Sequence, residues 1–261
     1  MNAVSAQAQP PEAVLLRLRG VCKRYPFGQT QVTALQGVNL DIDNQGITVL
    51  SGPSGSGKTT LLNLLGALDQ PDSGSIEVLG HPIERLDEDA RSRLRAERLG
   101  FIFQRFNLLP VLTALENVEY PLQLLGVGPR ERRERALAML HAVGVAALAQ
   151  QRPGTLSGGQ QQRVAIARAL VKQPAVVLAD EPTANLDSSN ARAVLALLRQ
   201  LQQQTRTAVV VSSHDPLVLQ HADRVVHLRD GRVLDAVPVA LGAPHTADSA
   251  EWREPELAVV S

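Results

Sequence analysis

The chain has 261 residues, and its 26 Lys plus Arg balance its 26 Asp plus Glu, leaving no formal net charge; this argues against a protein held to nucleic acid by bulk positive charge. Aromatic residues make up 3% and hydrophobic residues 44%, which gives an aliphatic core of ordinary size and argues against a base-stacking platform. The one cysteine, Cys22, permits no intrachain disulfide and fits a reducing compartment, and no apolar run approaches the roughly 18 residues needed to span a bilayer.

Residues 1–12 are rich in Ala, Gln and Pro, without the basic start or apolar stretch of a secretory signal, and are expected to be disordered. Strand-like alternation begins at Leu15-Leu16-Arg17-Leu18-Arg19 and returns over Val32–Ile42, with Val38, Leu40 and Ile42 on one face. Ile47–Leu50 is a short apolar run that enters a glycine-rich loop. Lys58–Leu68 has helical spacing, and Gly74–Gly80 reads as a strand between turn signals. From about Leu86 to Val145 the composition shifts to Arg, Glu, Leu and Ala. A first helical pattern covers Asp87–Leu99 and is followed by the apolar Phe101-Ile102-Phe103. A second starts at the capping-box sequence Thr113-Ala114-Leu115-Glu116, and a third has Pro129 in its first turn and Gly144 at its end. A βα alternation then resumes: helix over Gly158–Val171, buried strand over Ala175–Ala179, helix over Ser189–Gln203, strand over Ala208–Val211. Asp230-Gly231 closes a late hairpin. The predicted fold class is α/β, with an antiparallel β patch at the front and a helical insert over about 86–160. The body is expected to run over 13–237, with 238–261 as a flexible tail.

Three segments carry chemistry. Gly52-Pro53-Ser54-Gly55-Ser56-Gly57-Lys58-Thr59 fits G-x-x-x-x-G-K-[ST]. Its glycines let backbone N–H groups turn toward phosphates at a helix N-terminus, Lys58 reaches the β- and γ-phosphates, and the Thr59 hydroxyl ligates Mg²⁺. Ala175-Val176-Val177-Leu178-Ala179-Asp180-Glu181 puts two carboxylates at the end of a buried strand. Asp180 is placed to hold Mg²⁺ through water, while Glu181, pointing the other way along a strand, is placed to act as general base. On composition alone, two such acids more often start a solvated loop. Leu156-Ser157-Gly158-Gly159-Gln160 precedes a helix and forms a second anion site, although by itself Ser157 reads as an ordinary N-cap.

Together these segments resemble the nucleotide-binding subunit of ATP-binding-cassette (ABC) transporters. The run Leu156-Ser157-Gly158-Gly159-Gln160-Gln161-Gln162-Arg163-Val164-Ala165-Ile166-Ala167-Arg168-Ala169-Leu170 is similar to that family's signature segment almost letter for letter. The resemblance covers about residues 15–235. It implies a P-loop NTPase (RecA-like) core with an antiparallel β subdomain and an inserted α-helical subdomain. It also implies Mg-dependent ATP hydrolysis and a head-to-tail homodimer. ATP would lie between the phosphate loop of one copy, with Thr60 following it, and Ser157, Gly158, Gly159 and Gln160 of the other. Gln104 looks like the Q-loop glutamine that senses Mg²⁺ and water. Asp187, in Ala184-Asn185-Leu186-Asp187, looks like the D-loop aspartate, His214 the switch histidine, and Tyr25 the aromatic stacked on adenine.

A finer resemblance is to the macrolide-export and lipoprotein-release subfamily, carried by Tyr25-Pro26-Phe27-Gly28, Leu65-Gly66-Ala67-Leu68-Asp69, Asn107-Leu108-Leu109-Pro110 and Ala114-Leu115-Glu116-Asn117-Val118. It implies a separate integral membrane permease as partner, a peripheral place at the cytoplasmic face of the inner membrane, no nucleic acid, and export or lipoprotein extraction as the task. The family places a groove for a helix of that partner beside the Q-loop, so one or two side chains of Phe106–Leu112 are expected at the surface. Departures are small: Gln45-Gly46 replaces the usual Gly-Glu, and Ser213 precedes His214 where Thr is common. A cassette ATPase acting on DNA or ribosomes usually carries two cassettes, a coiled coil or a zinc module, none of which is read here. A regulatory, division-type assembly has the same catalytic residues, and gene neighbourhood separates it from transport.

Overall fold

A computed structural model describes residues 14–28, 30–44 and 46–238. The stretches expected to be disordered at either end lie outside the described residues, Pro238 apart, as does Gln45. The alternating front of the chain folds as a long antiparallel pair, β1 (Val14–Phe27) and β2 (Thr30–Asp43). After β3 (Ile47–Ser51) and α1 (Lys58–Leu65), β4 (Ser73–Val78) returns to β1 and adds the two-residue β5 (His81–Pro82), giving a four-stranded sheet of order β2-β1-β4-β5.

The second sheet is the core. It is built from β3 with β6 (Leu99–Ile102), β7 (Val176–Asp180), β8 (Ala208–Ser212), β9 (Arg224–Arg229) and β10 (Arg232–Pro238), in the order β10-β9-β3-β8-β7-β6. All neighbours are parallel except the β9–β10 hairpin. Strands buried on both faces need near-continuous apolar runs, and the chain supplies them, with Thr48 as a buried polar exception inside β3. Val49, Val177, Val209 and Val211 face one hydrophobic cluster, while Leu50, Val176, Leu178 and Val210 face the other. The first cluster is closed by Leu115 and Val118 of α3 (Ala114–Leu124), Leu140 of α4 (Pro129–Ala142), Ile166 of α5 (Gly158–Leu170) and Leu198 of α6 (Ser188–Thr205). The second is closed by α1, by Leu94 of α2 (Glu88–Arg98), and by the inner face of the antiparallel sheet through Leu16, Leu18, Leu40 and Ile42. Each fully buried leucine contributes about 1.5–3 kcal/mol relative to exposure.

Caps define the helix boundaries. Asp87 accepts the Ala90 N–H at 2.7 Å, so α2 starts one residue after the expected first position. Thr113 and Glu116 form the reciprocal capping box, Thr113 N donating to Glu116 at 2.8 Å and Glu116 N to the Thr113 hydroxyl at 3.2 Å. The stretch expected as one helical insert over about 86–160 divides. Phe101-Ile102 is not a break between helices: β6 pairs in parallel with β7, Leu99 and Ile102 are buried on opposite faces, and α2 packs on the core beside them. A four-residue strand buried on both sides shows no alternation, so its period is invisible in the sequence. The separate helical unit is α3 and α4, packed on α5. Among the described residues, no helix is long and apolar enough to cross a membrane.

Candidate nucleotide site

The loop 52–57 runs from the carboxyl end of β3 into α1, the place where ligands meet a parallel sheet. Gly57 has φ +104°, and a Cβ there would meet the Ala34 carbonyl at 2.6 Å and Leu35 at 2.9 Å; only glycine fits. The loop is braced from below by the β9–β10 turn: Gly231 N donates to the Ser56 carbonyl at 3.1 Å, and Gln36 N donates to Gly231 O at 2.8 Å. Lys58 is 7% exposed. Its ammonium donates to the carbonyls of Gly52 at 2.7 Å and Pro53 at 3.0 Å, and no carboxylate pairs with it among the described residues. A buried cation held only by carbonyl dipoles retains attraction for an anion at the loop.

A cavity of about 420 Å³ opens over this loop, walled by Ser54, Gly55, Lys58, Thr59 and Thr60 on one side and by Gln104, Glu181 and His214 on the other. The Thr59 hydroxyl lies 3.2 Å from both oxygens of Asp180. Asp180 also accepts the Ser212 hydroxyl. Glu181 reaches the cavity by a route that strand alternation does not supply. β7 ends at Asp180, and Glu181 is left-handed, φ 44°, a conformation costing about 1–3 kcal/mol in a non-glycine residue. Its N–H is shared between the Ser212 carbonyl at 3.1 Å and the Ser212 hydroxyl at 3.2 Å. Its side chain, 19% exposed, accepts from the Ser213 hydroxyl at 3.3 Å and faces His214 Nδ1 at 3.0 Å. Thus Gln104, Glu181, His214, Thr59 and the phosphate loop converge, with Asp180 just behind Thr59.

Other expected residues stand apart. Ser157 caps α5: its hydroxyl accepts Gln160 N at 3.3 Å, and Ser157 N donates in return to Gln160 Oε1 at 2.9 Å. A Cβ on Gly159 would meet the Asn190 side chain at 2.7 Å, so this glycine is set by the close approach of α5 to α6. Neither this segment nor Asp187 lines the cavity. Asp187 caps α6; the Ser189 hydroxyl, then the Asn190 N–H and side chain, hold its carboxyl far below the usual range. Tyr25 does not itself line the cavity; it pairs across the sheet with Val32, which does.

Sequence reasoning missed the struts between these segments. Gln162, fully buried, donates from Nε2 to the Pro182 carbonyl at 2.6 Å, tying α5 to the turn after Glu181. Asn185 donates to the Gln104 carbonyl at 2.7 Å. Arg168 of α5 donates to the carbonyls of Phe106 at 2.8 Å and Asn107 at 2.5 Å, both left-handed residues of the loop after Gln104. Asn117 clamps the next stretch, accepting Leu109 N at 2.8 Å and donating to the carbonyls of Leu109, Leu112 and Thr113. The available signal was a polar residue on an apolar face, as at Gln162 beside Ile166 and Ala169, or at the end of an apolar strand, as at Ser212.

A glycine loop feeding a helix from a parallel core strand, with an acidic strand end beside it and a capped glycine helix on a helical unit, belongs to the P-loop nucleoside triphosphatases of cassette type. Comparison with known proteins narrows this. The sequence profile described as ABC transporter matches residues 35–184, and the chain belongs to that family. It is 46% identical over 246 residues to the macrolide export ATP-binding/permease protein MacB 1 of Yersinia pestis bv. Antiqua, a match covering 94% of this chain and 36% of that protein. It is 47% identical over 246 residues to MacB of Burkholderia pseudomallei, covering 94% of this chain and 38% of that one. The chain therefore spans little more than a third of the curated relatives it matches. The dimeric post-hydrolysis structure of the ATP-binding cassette MJ0796, bound to ADP and Pi, superposes with TM-score 0.80 at 42% identity, covering 85% of this chain and 98% of that one. The chain is accordingly an ABC-type ATPase cassette with a nucleotide-binding fold.

Proposed function

We propose that this chain binds and hydrolyses ATP as a head-to-tail dimer and drives an integral membrane permease subunit, for export or for extraction of lipid-linked cargo, from the cytoplasmic face of the inner membrane. The observation that carries the reading is the Glu181 carboxylate, aimed into the phosphate-loop cavity and partnered there by the Ser213 hydroxyl and His214.

The residues fit the nucleotide and its metal: a buried ammonium with only carbonyl partners, a hydroxyl and a carboxylate side by side, and a loop closed to any Cβ at Gly57. Lys58 would hold the β- and γ-phosphates, the N–H groups of 52–57 other than Pro53 would cradle them, Tyr25 would stack on adenine, and Thr59, Asp180 and Gln104 would hold Mg²⁺. Bound Mg²⁺ would neutralise charge developing on the transferred phosphoryl group. Glu181 takes the proton of the attacking water as its oxygen bonds to the γ-phosphorus and the bond to the leaving ADP oxygen breaks. His214 orients that water and the γ-phosphate. Ser157 and the amide groups of Gly158 and Gly159 cap no phosphate within their own chain, and in the dimer they meet the γ-phosphate of the other copy, with Asp187 at the seam.

Docking of the permease is assigned to the loop beside Gln104 and the outer face of α3, where Leu109, Val111, Tyr120 and Leu124 are 37, 73, 40 and 62% exposed. Affinity capture of the Glu181→Gln protein with Mg-ATP from solubilised native membranes, read by mass spectrometry, tests the assembly. A co-purifying integral membrane protein supports it, and ribosomes or a soluble partner in its place overturn it. Leu109→Asp is expected to abolish permease-stimulated ATP turnover while retaining nucleotide affinity. Normal stimulation of that variant by the reconstituted permease removes Leu109 from the docking surface.

A further inference from the structure

The Tyr25 ring is anchored at its hydroxyl and on one face. On β1 it stands directly opposite Val32 of β2, so the two side chains share a face of the sheet, and Val32 belongs to the cavity wall. The Tyr25 hydroxyl donates to Asp69 Oδ2 at 2.8 Å. The other carboxylate oxygen, Oδ1, accepts Lys23 Nζ at 2.7 Å and the Gln70 N–H at 2.7 Å. Lys23 is 9% exposed, donates also to the Gln70 carbonyl at 2.7 Å, and places its ammonium 5.1 Å from the centroid of the Tyr25 ring. One face of the ring thus carries a cation, which leaves the opposite face for a planar partner.

The titration states agree with this geometry. Burial, reinforced by the Asp69 bond, pushes the Tyr25 phenol up to about 12, so it stays a donor. Burial alone would raise the Asp69 carboxyl, but the hydrogen bonds from Lys23, Tyr25 and Gln70 N outweigh it and bring it below its ordinary value, so it stays an acceptor. Asp69 lies just beyond α1, whose first turn is the phosphate loop's lysine and threonine, and Leu68 N closes back onto Asn63 O at 2.9 Å. One short, hydrogen-bonded stretch therefore runs from the phosphate loop to the anchor of the aromatic ring.

We propose that Asp69, itself held by Lys23, is a positioning residue that fixes the Tyr25 ring as a platform for the nucleotide base and sets its distance from the phosphate loop; this rests on the reading that Tyr25 stacks on the base. An untethered ring must be ordered on binding, which weakens affinity about two- to tenfold. The test uses the full chain and two ligands titrated calorimetrically, ATP and inorganic tripolyphosphate, the second lacking a base. Tyr25→Phe keeps the ring and the Lys23–Asp69 pair and removes the hydroxyl, with its bond to Asp69 and its contact with Thr60. It is expected to raise Kd and KM for ATP about two- to tenfold, with kcat within twofold and tripolyphosphate affinity the same. Asp69→Asn made in the Tyr25→Phe background is expected to weaken ATP no further. If Tyr25→Ala weakens ATP but Tyr25→Phe matches the parent, stacking stands and the anchoring role is overturned. If Tyr25→Ala also matches the parent, the stacking reading falls and takes the proposal with it. A parallel loss of tripolyphosphate affinity in Tyr25→Phe makes the contact merely structural and overturns the proposal too.

Discussion

Glu181→Gln is expected to lower the rate of ATP hydrolysis about 100- to 10,000-fold, the range a positioned general base supplies, with ATP still bound. The amide is isosteric, keeps an oxygen to accept from Ser213 and a partner for His214, and leaves the Ser212 contacts to the Glu181 backbone intact. What it loses is a site for the proton of the attacking water. On the proposed head-to-tail dimer, chemistry that stops before the γ-phosphate is released is expected to let the ATP-bound dimer accumulate, and light scattering with Mg-ATP is expected to report twice the monomer mass. Single-turnover hydrolysis at the parent rate would remove Glu181 from the base role, and a variant that neither hydrolyses nor binds ATP would mean that the turn after β7 had collapsed.

Lys58→Ala acts a step earlier. The ammonium is buried, fixed by the carbonyls of Gly52 and Pro53, and stands at the N-terminus of α1. Removing one member of a desolvated charge contact costs about 2–4 kcal/mol, roughly 30- to 1,000-fold in Kd for ATP. The change deletes a cation held by dipoles rather than by a paired carboxylate, so no opposite charge is stranded and the melting temperature of the nucleotide-free protein stays close to the parent's. Calorimetric titration with ATP checks the first expectation and a thermal melt the second. Unchanged affinity refutes the phosphate contact.

Where side-chain spacing alone dictates structure, the sequence was legible. The α/β alternation, the capping box at Thr113 and Glu116, the phosphate loop and the Asp230-Gly231 hairpin all follow from local rules, and the structure has them in place. Long-range geometry was legible only in part. Glu181 enters the cavity because Ser212, on a neighbouring strand, holds it left-handed; strand alternation from Asp180 suggests the same destination for a different reason. β6 joins the core sheet because its residues are buried on both sides, which no period records. The polar struts Gln162, Asn117 and Arg168 depend on which carbonyls the fold leaves unpaired, and most of those carbonyls lie outside the helix that carries the strut. Ser157 reads in the sequence both as a helix cap and as a phosphate contact, and Asp187 as the D-loop aspartate; within one chain both cap helices.

Helix α5 has one end at Ser157 and, three turns on, Arg168 gripping the backbone of Phe106 and Asn107. The two points are about 16 Å apart by helical rise, joined by a hydrogen-bonded rod that bends little at this length. Gln162 pins the rod midway to the turn after Glu181. It is therefore a lever with a fulcrum. On the proposed reading, a push on the loop after Gln104 would be carried to the serine end, and closing of that end on a phosphate would be carried back to the loop. In the proposed dimer, mechanical work would thus pass in either direction without any element unfolding.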